Sequence, residues 1–236
     1  IPKFFKRYQI QPVWRADRPA RGRFREFWQC DVDVIGSSSI VTEAELIASI
    51  CEILTKLQFN DFVVRINHRE LLSAILSEAG IPTEHKSNAL VALDKLDKVG
   101  VAGVRNELLE RQIDATAADR FLSFFESNSN GLPRNNKLDE LFGLLSSSPY
   151  AGRVKLDASL ARGLSYYTGT IIEVNDPDLA GSLGGGGRYD GLIGMFGKET
   201  VVNGCCFRTK DRAQDRLLKI EDRGQARLVD TESCGS

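Results

Sequence analysis

The chain has 236 residues and a mass of 26.1 kDa, enough for one large domain or for a core carrying an insertion. Hydrophobic residues make up 42% and charged residues 27%, which excludes a disordered, collagen-like or disulfide-scaffold chain. The longest uncharged run, residues 141–152, falls short of the ~18 apolar residues of a membrane span, so a soluble chain of cytoplasmic type is expected.

The formal charge is −1, but it is unevenly spread. Residues 1–25 carry Lys3, Lys6, Arg7, Arg15, Arg18, Arg21, Arg23 and Arg25 against the single acid Asp17, a local +7 that leaves −8 for the rest. Arginine presents a planar fork that matches phosphate bidentately, so the segment is either an anion site or a solvated basic rim. The five cysteines show no C-x-x-C pair and there are only two histidines, so reduced thiols and no protein-ligated metal are expected. Ile1-Pro2-Lys3 offers neither a methionine nor an apolar leader, which points to a start inside a longer gene product.

Tyr8–Asp17 and Arg25–Val34 have the β-branched and aromatic content of strands, and Pro19-Ala20-Arg21-Gly22 between them predicts an antiparallel hairpin. Alternation then puts Arg25, Phe27, Gln29, Asp31 and Asp33 on one face. Glu26, Trp28, Cys30, Val32 and Val34 take the other, expected to be core. Thr42 and Glu45 have capping-box spacing ahead of a helix over about 43–58. A strand over Phe62–Ile66 follows, then a helix capped by Asn67 with Glu70 and stopped by Gly80.

From Thr83 to Ser148 the pattern is helical only, with Asp114 as an N-cap and a Ser/Asn/Gly break at 127–131, which reads as an all-α insertion. Core residues 1–82 and 151–236 would flank an insertion over 83–150. Strand character returns at Arg153–Leu156 and Gly169–Val174 before the tract Gly184-Gly185-Gly186-Gly187. That tract fits neither G-x-G-x-x-G nor a P-loop, because Tyr189 or Asp190 stands where the last glycine belongs and Leu192-Ile193 replaces Lys-Ser/Thr. A glycine strand under close backbone packing and a bare floor for a substrate are both open.

Three strings in order then carry a resemblance. Arg15-Ala16-Asp17-Arg18-Pro19, Gly22-Arg23-Phe24-Arg25-Glu26-Phe27 and Gln29-Cys30-Asp31-Val32-Asp33 together resemble motif 2 of class II aminoacyl-tRNA synthetases. Arg162-Gly163-Leu164-Ser165-Tyr166-Tyr167-Thr168-Gly169 and Gly186-Gly187-Arg188-Tyr189-Asp190-Gly191 resemble the histidyl-tRNA synthetase family specifically. The resemblance implies an α+β fold: a class II synthetase-type antiparallel sheet flanked by helices.

It also implies roles. Arg15 and Arg162 would be the catalytic cations at the α-phosphate. Arg15, Asp17, Arg23, Phe27 and Arg212 would bind ATP, with Phe27 stacking on adenine. Gln29, Asp33, Arg162, Tyr166, Tyr167, Gly186 and Tyr189 would hold histidine. The implied substrates are histidine, ATP with Mg2+ and tRNA(His), and the implied assembly is a homodimer, away from membranes. Two further readings stand beside this one: a non-catalytic histidine-sensing paralogue of the ATP phosphoribosyltransferase regulatory subunit type, and a general tRNA-binding fragment. The resembling stretch lacks motif 1 and the anticodon-binding domain, and its motif 3 is degenerate, with Arg212 preferred over Arg216.

Overall fold

The structure is a computed structural model that describes residues 4–16, 18, 24–126, 131–162, 166–177, 181–195, 197 and 201–208. For residues 193, 203 and 205–208 it describes the backbone alone. Seven strands form one sheet: β1 (Phe5–Trp14), β2 (Glu26–Ile35), β3 (Val63–His68), β4 (Val154–Leu156), β5 (Thr170–Asn175), β6 (Ser182–Arg188) and β7 (Val202–Arg208). Their order across the sheet is β1-β2-β7-β6-β5-β3-β4. Every pair is antiparallel except β3 with β4, which run parallel.

The expected hairpin forms, with Phe5 opposite Ile35 and Trp14 opposite Glu26, a few residues earlier in β1 than alternation suggested. Its two faces depart from expectation. Phe27, on the polar face, is only 6% exposed, whereas Trp28, Cys30 and Val32 on the intended core face are half-buried and Tyr8, Ile10 and Trp14 beside them are exposed. Of that face of β2 Val34 alone is sealed, so alternation located the faces without settling their burial.

Helices α1 (Val41–Lys56) and α2 (Arg69–Glu78) supply the core. Ile47, Ile50, Cys51 and Leu54 of α1 and Leu72 and Ile75 of α2 join Val64, Ile66, Ile172 and Val174 of the sheet in one apolar cluster. Burial of each such side chain stabilises by roughly 1.5–3 kcal/mol. The predicted capping box does not form. Thr42 lies inside the first turn, its hydroxyl donating to Ser39 O at 2.8 Å, while Glu45 is drawn away to Lys6. Nor does Asn67 cap α2: His68 does, its Nδ1 accepting from Glu70 N at 3.1 Å, while Asn67 is buried and donates to Ala158 O and Leu160 O. Gly80 ends α2 as expected, at φ +80°, with Gly80 N bonded to Ser77 O and Ile81 N to Leu76 O.

Between residues 83 and 148 the described backbone is helical: α3 (Lys86–Leu93), α4 (Leu96–Glu110), α5 (Ala115–Glu126) and α6 (Asn136–Ser146), with α4 interrupted at Gly100, φ +67°. Asp114 caps α5 through Oδ2, which accepts from Thr116 N and Ala117 N. Leu108, Phe121 and Leu141 of these helices belong to the same apolar cluster as the sheet. A last short helix, α7 (Gly191–Gly194), follows β6. Among the described residues no helix is long and apolar enough to cross a membrane.

Candidate functional site

The register decides what shares the polar face. Paired residues point the same way, so Gln9, Asp31, Cys206, Gly185, Glu173 and Arg65 occupy one row running across β1, β2, β7, β6, β5 and β3. The next row on that face holds Arg7, Asp33, Gly204, Gly187, Ile171 and Asn67. Polar side chains therefore stand on β2 and on β5, and glycines occupy β6 between them. Three strand spacings, about 14 Å, separate the two polar groups. The result is a trough whose floor is bare backbone along β6 and at Gly204.

Two of the floor glycines admit nothing larger. A Cβ on Gly187 would lie 2.2 Å from Thr170 O and 3.1 Å from Tyr167 Cδ1; on Gly204 it would lie 2.1 Å from Asp33 Oδ1 and 2.7 Å from the Tyr189 hydroxyl. Close backbone packing and a bare floor, the two readings of the glycine tract, thus coincide in one strand. Gly186 falls on the alternate register, opposite Ile172 and Cys205, so its Cα hydrogens turn toward the core side; Gly185 and Gly187 face the trough.

On the β2 wall, Arg15 continues the hairpin, with its N–H bonded to Arg25 O at 2.8 Å. Its guanidinium donates to Gln29 Oε1 at 2.7 Å and lies 5.4 Å from the centre of the Phe27 ring. Gln29 passes the chain on, donating to both oxygens of Asp31 at 3.1 and 2.9 Å. Arginine, amide, carboxylate and aromatic ring are brought together as the hairpin predicted. The guanidinium now covers the ring face on which an adenine would stack.

At the end of the trough, Tyr189 donates its hydroxyl to Asp33 Oδ1, and Arg7 Nε stands 3.3 Å from Asp33 Oδ2. Burial first, and the Asp33 carboxylate second, push the Tyr189 hydroxyl far above the usual phenol range, so it stays a donor. Tyr166 packs on Tyr167 with centroids 4.4 Å apart and on Tyr189 at 6.4 Å, edge to face. Tyr167 is half-buried against Gly187, and Tyr166 is exposed.

On the β5 wall, Arg162 Nε stands 2.6 Å from Glu173 Oε2 in an ion pair whose N–H is not aligned for a hydrogen bond. Arg65 approaches the other carboxylate oxygen at 3.5 Å, and itself pairs with Asp157 and, at 3.1 Å, with Asp97 of α4. Desolvation raises the Glu173 pKa even against these cations. Below the sheet, Arg188 and Glu43 form a buried pair that anchors β6 to α1.

Arg15, Phe27, Gln29, Asp33, Arg162, Tyr166, Tyr167 and Tyr189 thus border one trough. Asp17, Arg23 and Arg212 lie outside the described residues. Sequence reasoning gave no role to Arg7, Arg65 or Glu173. The signal for the last two was present: Val-Val-Arg-Ile and Ile-Ile-Glu-Val each set one charge inside an apolar strand.

The family model for histidyl-tRNA synthetase matches residues 6–211. A histidine-tRNA ligase of Porphyromonas gingivalis is 42% identical over 92% of this chain and 51% of its own length. One from Leifsonia xyli is 40% identical over 95% of this chain and 57% of its own. The chain spans about half the length of the curated relatives it matches. A crystal structure of histidyl-tRNA synthetase from Nostoc superposes with a TM-score of 0.69 at 28% identity, covering 94% of this chain and 55% of that one. A structure from Bacillus halodurans, titled an ATP phosphoribosyltransferase regulatory subunit/histidyl-tRNA synthetase, gives a TM-score of 0.73 at 23% identity over 86% of this chain and 56% of that one, a likeness of fold.

Proposed function

The chain belongs to the histidyl-tRNA synthetase family, and from that premise we propose that its trough activates histidine with ATP and passes the histidyl group to tRNA(His). The observation that carries this reading is the arrangement of two guanidinium groups, Arg15 and Arg162, on opposite walls, with the glycines of β6 between them.

In this reading ATP, as its Mg2+ complex, and histidine enter as substrates. The histidine carboxylate attacks the α-phosphorus and pyrophosphate leaves; the acyl group of the adenylate then moves to a terminal hydroxyl of the tRNA. Arg15 and Arg162 meet the charge that builds on the α-phosphoryl oxygens, a task suited to fixed cations in a partly dehydrated site. Adenine takes the Phe27 ring once Arg15 swings from it to phosphate. Gln29 sits beside Arg15 and receives the backbone end of histidine. Asp33, held by Tyr189 and Arg7, and Tyr167 receive its polar groups at the tyrosine end. A site that hydrogen-bonds a polar side chain rejects analogues lacking it by roughly 10⁴-fold, so the chemistry needs no separate editing site.

Asp17, Arg23 and Arg212 complete the ATP contacts in this proposal. The helices of residues 83–150, an insertion between core parts 1–82 and 151–236, brace the tRNA acceptor arm, and the protein works as a homodimer. Histidine-dependent exchange of labelled pyrophosphate into ATP by the full-length gene product tests the reading. Exchange that requires histidine supports it; histidine binding without exchange would favour the sensing paralogue, and salt-sensitive tRNA binding indifferent to histidine would favour the RNA-binding fragment.

A further inference from the structure

The Arg162–Glu173 pair is lopsided. The Glu173 side chain is 3% exposed and that of Arg162 is 52% exposed, so the carboxylate is built into the wall while the arginine reaches solvent beside it, at a cleft that Arg65, Leu96 and Asp97 also line. Arg188 and Glu43 show what a purely structural pair looks like in the same sheet. There both partners are buried, at 10% and 1%, and the arginine spends Nε and both Nη groups on Glu43, Asp190, Ser37 O and Ser39 O. Arg162 meets Glu173 through Nε, and among the described residues its Nη groups meet no acceptor. An arginine paired through Nε keeps its four Nη N–H donors for a bidentate anion.

Glu173 is itself held from behind. Its second oxygen faces Arg65, which Asp157 and Asp97 clamp from β4's end and from α4. The row that contains Glu173 continues through Gly185 toward Asp31, so the carboxylate faces the floor rather than the core. A buried carboxylate that desolvation disfavours persists only where surrounding charges compensate it. Here one of those compensating charges is the group proposed to touch the reacting phosphate.

We propose that Glu173 is a positioning residue for the activation step: its buried carboxylate anchors the Arg162 guanidinium at the wall and leaves the Nη groups to meet the α-phosphoryl oxygens. This rests on the synthetase reading given above. Glu173 makes no contact with substrate in this scheme, and of the two roles the resemblance implies for Arg162, at the α-phosphate and at histidine, only the first depends on Glu173, so its effect appears where charge develops and not where histidine binds.

The test is pyrophosphate exchange by the full-length gene product, wild type beside Glu173→Gln, Glu173→Asp, Arg162→Lys and the Glu173→Gln/Arg162→Lys double variant, with histidine affinity measured separately by calorimetry. A misplaced reacting group costs about 10²-fold, so kcat for Glu173→Gln should fall by about that factor. The KM for histidine and the calorimetric affinity should stay within about threefold, because ground-state binding is untouched. The double variant should be no slower than Arg162→Lys alone, the mark of two residues acting as one. If Glu173→Gln does not fold, Glu173→Asp still decides, since it keeps the charge and withdraws it by one methylene: a reduced kcat with unchanged histidine affinity is expected. A wild-type kcat in either folded variant, an equal loss of kcat and histidine affinity, or additive effects in the double variant overturns the proposal while leaving the synthetase reading intact. A wild-type protein that binds histidine and exchanges no pyrophosphate overturns both.

Discussion

Arg188 grips both carboxylate oxygens of Glu43, through Nε at 2.6 Å and Nη2 at 2.9 Å, and so fastens the end of the glycine strand to the first turn of α1. The grip lies directly beneath Tyr189, whose hydroxyl reaches the other face of the sheet to meet Asp33. The position of the tyrosine is therefore tied to a charge pair on the opposite face of the sheet.

Removing one member of that pair leaves the other charged and buried. Glu43→Ala should destabilise the fold by about 3–5 kcal/mol, the usual penalty for orphaning a buried ion. Chemical denaturation of the variant against wild type measures it. Replacing Lys6 of β1 or Glu45 of α1, an exposed pair, should change stability little in the same assay.

Gly204→Ala places a methyl group 2.1 Å from Asp33 Oδ1 and 2.7 Å from the Tyr189 hydroxyl. The two must separate. On the synthetase reading, the KM for histidine should rise more than tenfold, a loss of about 1.4 kcal/mol, as the residues receiving its polar groups part. Tyr189→Phe, which deletes the hydroxyl without crowding Asp33, should raise the KM by less than Gly204→Ala does, because Arg7 still holds the carboxylate in place. Steady-state kinetics on both variants ranks them, and the reverse order would refute the steric account.

His68 titrates in a useful range. Burial, the largest influence, lowers its pKa from the ordinary 6.5, although Glu70 pulls the other way. The unfolded chain therefore takes up the proton first as pH falls below 6.5, and the folded state loses its advantage down to the lowered folded value. Thermal midpoints between pH 8 and pH 5 should decline over that window. His68→Asn keeps an acceptor for Glu70 N and removes the titration, so its decline should be shallower.

Asp114→Ala strips the two-point cap from α5, whose Thr116 and Ala117 N–H groups lose their acceptor. A loss of about 1 kcal/mol is expected by denaturant titration, with histidine binding unchanged.

The strands and helices were largely legible because apolar period separates them: the hairpin, β3, β5 and the helical run from Lys86 to Ser146 follow alternation or a 3.6-residue spacing. Caps were less legible, since a hydroxyl or amide serves whichever neighbour lies nearest. Ser39 O claimed Thr42, and two carbonyls beyond β4 claimed Asn67, contacts fixed by tertiary structure. The described site residues supplied by recognisable strings border the trough, Gly186 apart, and the residues behind them showed only as lone charges in apolar strands. Glu173 carried that signal without a partner to give it meaning, and only the structure set Gly185 and Arg162 beside it.

A surface paved with peptide groups has little room to change by ordinary substitution. Positions 187 and 204 tolerate hydrogen alone, because Thr170 O, Asp33 and Tyr189 already fill the space a methyl group would need. They can be lost but hardly adjusted, which makes them a record of how tightly the chain's own strands and side chains close on one another.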